Sequence, residues 1–303
     1  MWRVGAGLST SSVAESLLRP HNPYHARPGP IAGLPLMTRS PWQRRVQRAR
    51  DLAGQHPFAG EILRLYVEIA LFQETLHGEL EKKNGRGEPL EPFTQVQSPS
   101  RVVHLQWFAS FLEMIAKSGP PQVAGIAHEL AVRGEENWTG LLNHCWQQVG
   151  SSQKDAALLL ARAFLQPFAE RVRECSSLPG SGVAPSHCPL CGRKPGVAVL
   201  RPQGDGGRRS LVCSFCLAEW DFRRIVCAAC GEEHDSKLPV YVAEDFDYIR
   251  VECCDTCNQY IKAIDMTKNG LAEPVVDEIA SCPLDLWAQQ HGYSKIEVNL
   301  MGM

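Results

Sequence analysis

From Pro41 onward, apolar residues recur at helical spacing. Phe58, Ile62, Leu65, Ile69, Phe72, Leu76 and Leu80 advance by three or four residues and so share one stripe of a long amphipathic helix. Asn84-Gly85-Arg86-Gly87 ends that helix, and a proline-spotted loop from Glu88 to Ser100 follows. Leu105, Phe108, Leu112 and Ile115 repeat the stripe until Gly119-Pro120-Pro121 stops it. Residues 122–149 keep a helical pattern that Gly125, Gly134 and Gly140 interrupt. Ser152 with Asp155 resembles a capping box, opening a helix through Leu165, Phe168 and Val172. Pro167 is expected to kink or split that helix. Residues 41–175 therefore read as an all-helical domain with short connections. Ahead of it, residues 1–40 show no sustained periodicity. They include Pro20, Pro23, Pro28, Pro30 and Pro35, and read as an arm with one short helix near Ser12–Leu18.

The period changes after a linker over residues 176–186, rich in Ser, Gly and Pro. Val197–Arg201 and Arg208–Cys213 flank Gly204-Asp205-Gly206-Gly207, a hairpin signal. Trp220, Phe222 and Ile225 favour a strand, as do Val240-Tyr241-Val242 and Tyr248-Ile249-Arg250-Val251. Residues 275–291 read as one short helix, and Tyr293–Met303 as a closing tail.

Cysteine spacing adds most to this picture. Four Cys-x-x-Cys pairs occur: Cys188/Cys191, Cys213/Cys216, Cys227/Cys230 and Cys254/Cys257. Two thiolates separated by two residues can grip a tetrahedral ion from a single turn, and two such turns complete a four-sulfur shell. Pairs begin at Cys188 and again 39 residues on at Cys227, each unit running knuckle, hairpin, knuckle. This is an internal duplication of two small ribbons. The expected grouping is Cys188, Cys191, Cys213 and Cys216 in one site and Cys227, Cys230, Cys254 and Cys257 in the other, an interleaved cross-brace being the alternative. Gly192 and Gly231 follow two of the knuckles and suit positive φ, which turns backbone N–H groups toward sulfur. Cys253 could exchange with Cys254, although only Cys254 keeps the two-residue spacing to Cys257.

Zinc or iron suits tetrahedral sulfur, and the sites read either as structural or as rubredoxin-like and redox-active. A thioredoxin-like dithiol needs a βαβ setting that the pattern lacks. Cys145, Cys175 and Cys282 read as buried small hydrophobes. His187 and His234, beside knuckles, read as exposed turn residues or donors to the sulfurs. His104, His128 and His144 fall on separate helices. None of these three has a histidine or a glutamate three or four residues away, so no metal site is expected among those helices.

The 303 residues carry 44% apolar residues and a formal net charge of −2, ordinary values for a globular protein of about two domains. Residues 186–265 hold ten Lys or Arg against twelve Asp or Glu, which speaks against a nucleic-acid-binding ribbon. No apolar run reaches a membrane span of about eighteen residues, so membrane insertion is not expected. The N-terminus lacks a signal-peptide pattern, and Arg44-Arg45 is followed by polar sequence rather than an export signal. These features, with twelve cysteines that point to metal rather than disulfides, imply a cytoplasmic protein. No nucleophile–base pair or carboxylate dyad stands out, so no catalytic residue is expected.

Several runs carry a family resemblance. They are Cys188-Pro189-Leu190-Cys191-Gly192, Cys213-x-x-Cys216-x-x-Glu219-Trp220, Cys227-x-x-Cys230 and Cys254-Asp255-x-Cys257 with Tyr260-Ile261-Lys262, then Leu284-Asp285-Leu286 and Gly292-Tyr293. In these the chain resembles the formate dehydrogenase accessory protein family, FdhE. The resemblance implies a non-enzymatic assembly factor that binds the catalytic subunit of formate dehydrogenase in the cytoplasm before export. It also implies rubredoxin-like iron on the eight knuckle cysteines, with zinc the alternative. A redox protein passing electrons to a maturing enzyme is the second reading and a nucleic-acid-binding ribbon the third. Assembly as a homodimer stays open. The expected fold is α+β: a helical N-terminal domain (41–175), four-cysteine ribbons over 187–222 and 223–268, and a C-terminal helix and tail over 269–303.

Overall fold

The computed structural model describes residues 18–20, 39–84, 105–147, 155–176, 185–203 and 206–303. Among the described residues, five helices follow a short strand at Leu18–Pro20: α1 (Pro41–Gln55), α2 (Gly60–Asn84), α3 (Leu105–Ser118), α4 (Pro121–Gln147) and α5 (Ala156–Glu174). The expected stripe lies on α2, where Ile62, Leu65, Ile69, Leu76 and Leu80 are buried. These residues meet an aromatic centre in which Phe108 and Phe164 lie 4.9 Å apart and Phe72 and Phe111 5.3 Å apart. Ser40 opens α1 through a capping box with Gln43.

Three expectations change in this domain. Asp155 caps α5, its carboxylate accepting from the N–H groups of Ala157 and Leu158, while Ser152 lies outside the described residues. The helix α5 runs unbroken through Pro167. Proline deprives the carbonyl four residues earlier of its donor, and here the buried Gln73 side chain supplies one to Ala163 O at 2.6 Å. Only Gly134, at φ 74 and ψ 178, breaks α4, whereas Gly125 and Gly140 stay within it. The loop over 88–100, His104 and the short helix near Ser12 lie outside the described residues, and Leu18 instead begins a strand.

Among the described residues, eight strands form one sheet in the order β1-β5-β6-β7-β2-β3-β4, with β8 beside β7. They are β1 (Leu18–Pro20), β2 (Pro195–Gln203), β3 (Gly206–Cys213), β4 (Glu219–Asp221), β5 (Val240–Ala243), β6 (Ile249–Cys254), β7 (Gln259–Asp265) and β8 (Ser294–Lys295). The hairpin β2–β3 forms with Arg201 opposite Arg208, and β5–β6 is its counterpart in the second repeat. The repeats join edge to edge where β7 pairs parallel with β2, Ala263 facing Ala198. Ile225 lies in the turn before Cys227 rather than in a strand, 39% exposed. β7 had no alternating signature because nearly all of it is buried on both faces, Lys262 and Asp265 included.

Residues 274–290 form two helices, α6 (Pro274–Ala280) and α7 (Cys282–Gln290), rather than one. Pro283 would clash inside a continuous helix but is tolerated in a first turn. At the break, the Ser281 hydroxyl donates to the carbonyls of Asp277 and Glu278. The tail is buried at Ile296, Val298, Leu300 and Met301.

One face of the sheet, with Ala198, Leu200, Leu211, Ile261 and Ala263, shares a core with the helical domain. The other face packs Val199, Val251, Tyr260 and Ile264 against Leu284 and Trp287 of α7. A buried charge cluster pins β7 to α6, α7 and the tail. Lys262 Nζ lies 2.7 Å from Asp285 Oδ2 and 3.0 Å from Glu278 Oε1, and Lys295 Nζ lies 2.9 Å from Asp285 Oδ1. Burial opposes ionisation of Asp285, but the two ammonium groups outweigh it and hold the carboxyl below its ordinary range. Removing one cation strands a buried carboxylate. Lys262→Met is therefore expected to lower stability by about 3–5 kcal/mol in urea unfolding, and a loss under about 1 kcal/mol would show the cluster to be solvated.

Candidate metal centres

All eight knuckle cysteines fall into two groups. Cys188, Cys191, Cys213 and Cys216 form one and Cys227, Cys230, Cys254 and Cys257 the other, with every sulfur of a group within 4.8 Å of its fellows. The knuckles pair within each repeat, not across repeats. Cys188 and Cys216 sulfurs lie 3.6 Å apart and those of Cys191 and Cys213 3.3 Å apart. In the second group Cys227 and Cys257 are 3.8 Å apart and Cys230 and Cys254 3.7 Å apart. Sulfurs bound at about 2.3 Å to one tetrahedral ion stand about 3.8 Å from each other. No cysteine is in a disulfide. The donor set thus fits a tetrahedral thiophilic ion, and both clusters could hold one.

The backbone closes three of the four knuckles the same way. A carbonyl bond closes the turn: Gly192 N–H donates to Cys188 O at 2.9 Å, Gly231 N–H to Cys227 O at 3.1 Å and Asn258 N–H to Cys254 O at 2.8 Å. The next residue after each second cysteine has positive φ: Gly192 at 72°, Leu217 at 54°, Gly231 at 80° and Asn258 at 53°. Glycine marked two of these positions in the sequence, while Leu217 and Asn258 were missed. The signal that could have found them is their equivalent place after the knuckle. Backbone N–H groups also point at sulfur, from Phe215 to Cys213 at 3.4 Å and from Ala229 to Cys227 at 3.4 Å. Such donors offset thiolate charge.

Electrostatics in each cluster are divided. Hydrogen bonds from Cys191, Cys213 and Cys216 hold the Cys188 thiol far below its ordinary value, whereas burial pushes Cys213 well above. In the second cluster burial opposes ionisation of Cys254, yet N–H donors from Cys257 and Thr256 hold it down, while burial raises Cys257. One sulfur ionises at its neighbours' expense. A bound cation lets all four be thiolates.

The clusters differ in surroundings. Cys188, Cys213 and Cys216 are buried and Cys191 half-buried. Phe215, between Cys213 and Cys216, packs edge-on against Trp146 of α4 at 5.7 Å, and the Arg193 guanidinium lies 4.1 Å over its ring. In the second cluster Cys230 is exposed and Cys257 half-buried. Cys253 sits outside the cluster, on the opposite face with Val251 and Tyr260. Cys145 and Cys282 are buried and Cys175 half-buried, while His187 and His234 are exposed. Trp220 is buried and donates from Nε1 to Pro185 O at 2.9 Å, a packing role.

Folding also gathers His77, Glu81 and Glu174, which the sequence did not suggest. Glu174 accepts from His77 at 3.1 Å and faces Arg173 at 3.3 Å and Arg171 at 3.6 Å. Two guanidiniums beside the carboxylate disfavour a cation there, and the group is an ion-pair network.

The chain is similar to known proteins over most of its length. Residues 187–224 match the family model described as FdhE, central domain, and residues 225–301 the one described as FdhE, C-terminal domain. A protein of Aquifex aeolicus named Protein FdhE homolog is 31% identical over 270 residues, covering 85% of this chain and 94% of that protein. Protein FdhE of Escherichia coli (strain K12 / DH10B) is 26% identical, covering 85% and 86%. The crystal structure of the FdhE protein from Pseudomonas aeruginosa superposes with a TM-score of 0.64 at 26% identity, over 87% of this chain and 96% of that one. No described helix is long and apolar enough to cross a membrane.

The positive φ at Asn258 sets a test of the knuckle geometry. A β-branched side chain in the left-handed region costs about 1–2 kcal/mol, whereas glycine has no such penalty. Asn258→Val is expected to lose about that much in urea unfolding while Asn258→Gly stays within about 0.5 kcal/mol of the parent. Equal behaviour of the two variants would mean that the turn does not depend on this conformation.

Proposed function

Because the chain belongs to the FdhE family, we propose that it is a non-enzymatic accessory factor for formate dehydrogenase, engaging the catalytic subunit in the cytoplasm before that subunit is exported. The observation that carries this reading is the pair of complete four-sulfur shells in one continuous sheet braced on a helical domain. Such a frame suits the presentation of a fixed surface to a partner better than it suits turnover. Cys188, Cys191, Cys213 and Cys216 would hold one ion and Cys227, Cys230, Cys254 and Cys257 the other. Iron is favoured by the family resemblance and zinc is the alternative. When bound, the ions supply folding energy that modules this small lack.

In this reading the metal-locked sheet and the helical bundle together form the docking platform. Contacts that tie the bundle to the α6 segment and the tail are Arg48 to Asp277 at 3.0 Å, Arg44 to Glu273 at 2.8 Å and Arg162 to Glu297 at 3.0 Å. A second reading, electron transfer to the maturing enzyme, draws on the exposure of Cys230 in the second cluster. Reversible bleaching of a ferric–thiolate absorption band in anaerobically purified protein would support it, and colourless zinc protein would end it.

The accessory reading is tested in a host deleted for its own FdhE gene. Expression of this chain is expected to restore formate dehydrogenase activity, and affinity-tagged protein to capture the unexported catalytic subunit. Cys188→Ser is expected to lower bound metal from two equivalents to one and to abolish capture. Capture that survives loss of that metal sinks the platform mechanism, and failure to restore activity sinks the accessory role.

A further inference from the structure

Exchange of a sulfur ligand on a bound ion needs room for an incoming donor and freedom for one resident sulfur to leave. The shell around a cluster therefore sets how readily its ion exchanges. Around the first cluster that shell is closed. Cys216 is 0% exposed, and Phe215 beside it is wedged between Trp146 of α4 at 5.7 Å and the Arg193 guanidinium at 4.1 Å. Arg193 in turn donates to the carbonyl of Cys145 on the same helix. Ahead of Cys188, Trp220 Nε1 holds Pro185 O at 2.9 Å. Freeing any of these sulfurs means parting the sheet from the helical domain, a large opening.

The second cluster is open by comparison. Cys230 is exposed and Cys257 half-buried. A cavity of about 390 Å³ is lined by Cys227 and Cys254, and a wider groove of about 1010 Å³ by Cys227 and Cys230, so the sulfurs are approached from two sides. The turn between Cys227 and Cys230 carries only Ala228 and Ala229, neither large enough to anchor it as Phe215 anchors its own turn. Beyond it Glu233–Lys237 is exposed. The loop is held by Cys227 N–H to Glu232 O at 2.8 Å and by the Thr256 hydroxyl donating to Glu232 Oε2 at 2.7 Å. Moving Cys230 away requires a local opening of this turn and nothing more.

We propose that the second cluster is a ligand-exchange centre, with Cys230 its replaceable sulfur and a small external thiol the substitute, while the first cluster keeps its four sulfurs. Cys230 leaves as the incoming sulfur takes its place, the proton of the external thiol passes to the Cys230 sulfur, and no electron is transferred. The assignment rests on both clusters holding ions. It does not depend on the accessory role or on which metal is bound.

The full chain, loaded anaerobically with cobalt(II), is treated with excess EDTA and followed by its cobalt–thiolate absorption. Loss is expected in two phases of one equivalent each, the fast one at least about tenfold quicker than the slow. Cys230→Gly is expected to carry one equivalent and to show the slow phase alone. Adding 2-mercaptoethanol to that variant is expected to restore the second equivalent and the four-sulfur absorption, and dialysis of the thiol to reverse the gain. Cys216→Gly, which leaves its gap in the closed cluster, is expected to gain nothing from the thiol. If Cys216→Gly fails to fold, the two phases of the parent and the rescue of Cys230→Gly decide. A single phase in the parent, a fast phase that survives in Cys230→Gly, failed rescue, or equal rescue of Cys216→Gly each overturns the inference while leaving the metal centres in place. A parent that binds fewer than two equivalents overturns the inference and the metal reading together.

Discussion

Four sulfurs held within 4.8 Å of one another, twice over, form the constraint on which the C-terminal half depends. The second knuckle of each repeat lies at a strand end: Cys213 closes β3 and Cys254 closes β6, so bringing the sulfurs together also fixes where those strands stop. Four thiolates at such distances repel one another, and the opposed shifts of Cys188 and Cys213 express that conflict. A cation bound among them removes it. The positive φ at four equivalent positions is the conformational cost of the arrangement, borne by leucine and asparagine as well as by glycine.

Around that constraint the molecule is tied together by buried charge. Arg45 and Glu170 form a two-point pair at 3.0 and 2.6 Å inside the helical domain, and Arg162 reaches Glu297 and the carbonyl of Val298 in the tail. Lys262 and Lys295 share Glu278 and Asp285 beneath the sheet. Buried ion pairs add little net stability compared with well-packed apolar residues, but breaking one is expensive. Their effect here is to select one docking of bundle, sheet and tail. The clusters then fall into different settings. The first is packed under Trp146, while the second has an exposed cysteine.

Much of this was legible in the chain. The stripe from Ile62 to Leu80 needs only the helical period, and the hairpin around Gly204–Gly207 only turn chemistry and alternation. Where the reading failed, a distant residue had intervened. Gln73 satisfies the carbonyl that Pro167 frees, so the helix continues. β7 is buried on both faces and carries Lys262 and Asp265 inward, so it showed no alternation. The break between α6 and α7 was visible in Pro283 but was passed over. His77 and Glu174 stand far apart in sequence, and only the packing of α2 on α5 joins them.

What the sequence determined alone was local: which turns present paired sulfurs, which segments carry helical or strand periodicity, and which repeat each knuckle belongs to. Those follow from spacing over a few residues, where covalent geometry leaves few choices. The tertiary structure decided the rest. It fused two ribbons into one sheet through β7 and β2, and buried one sulfur cluster more deeply than the other. Each of these depends on side chains that meet across long stretches of chain, and such meetings are set by packing and charge pairing that no local pattern encodes.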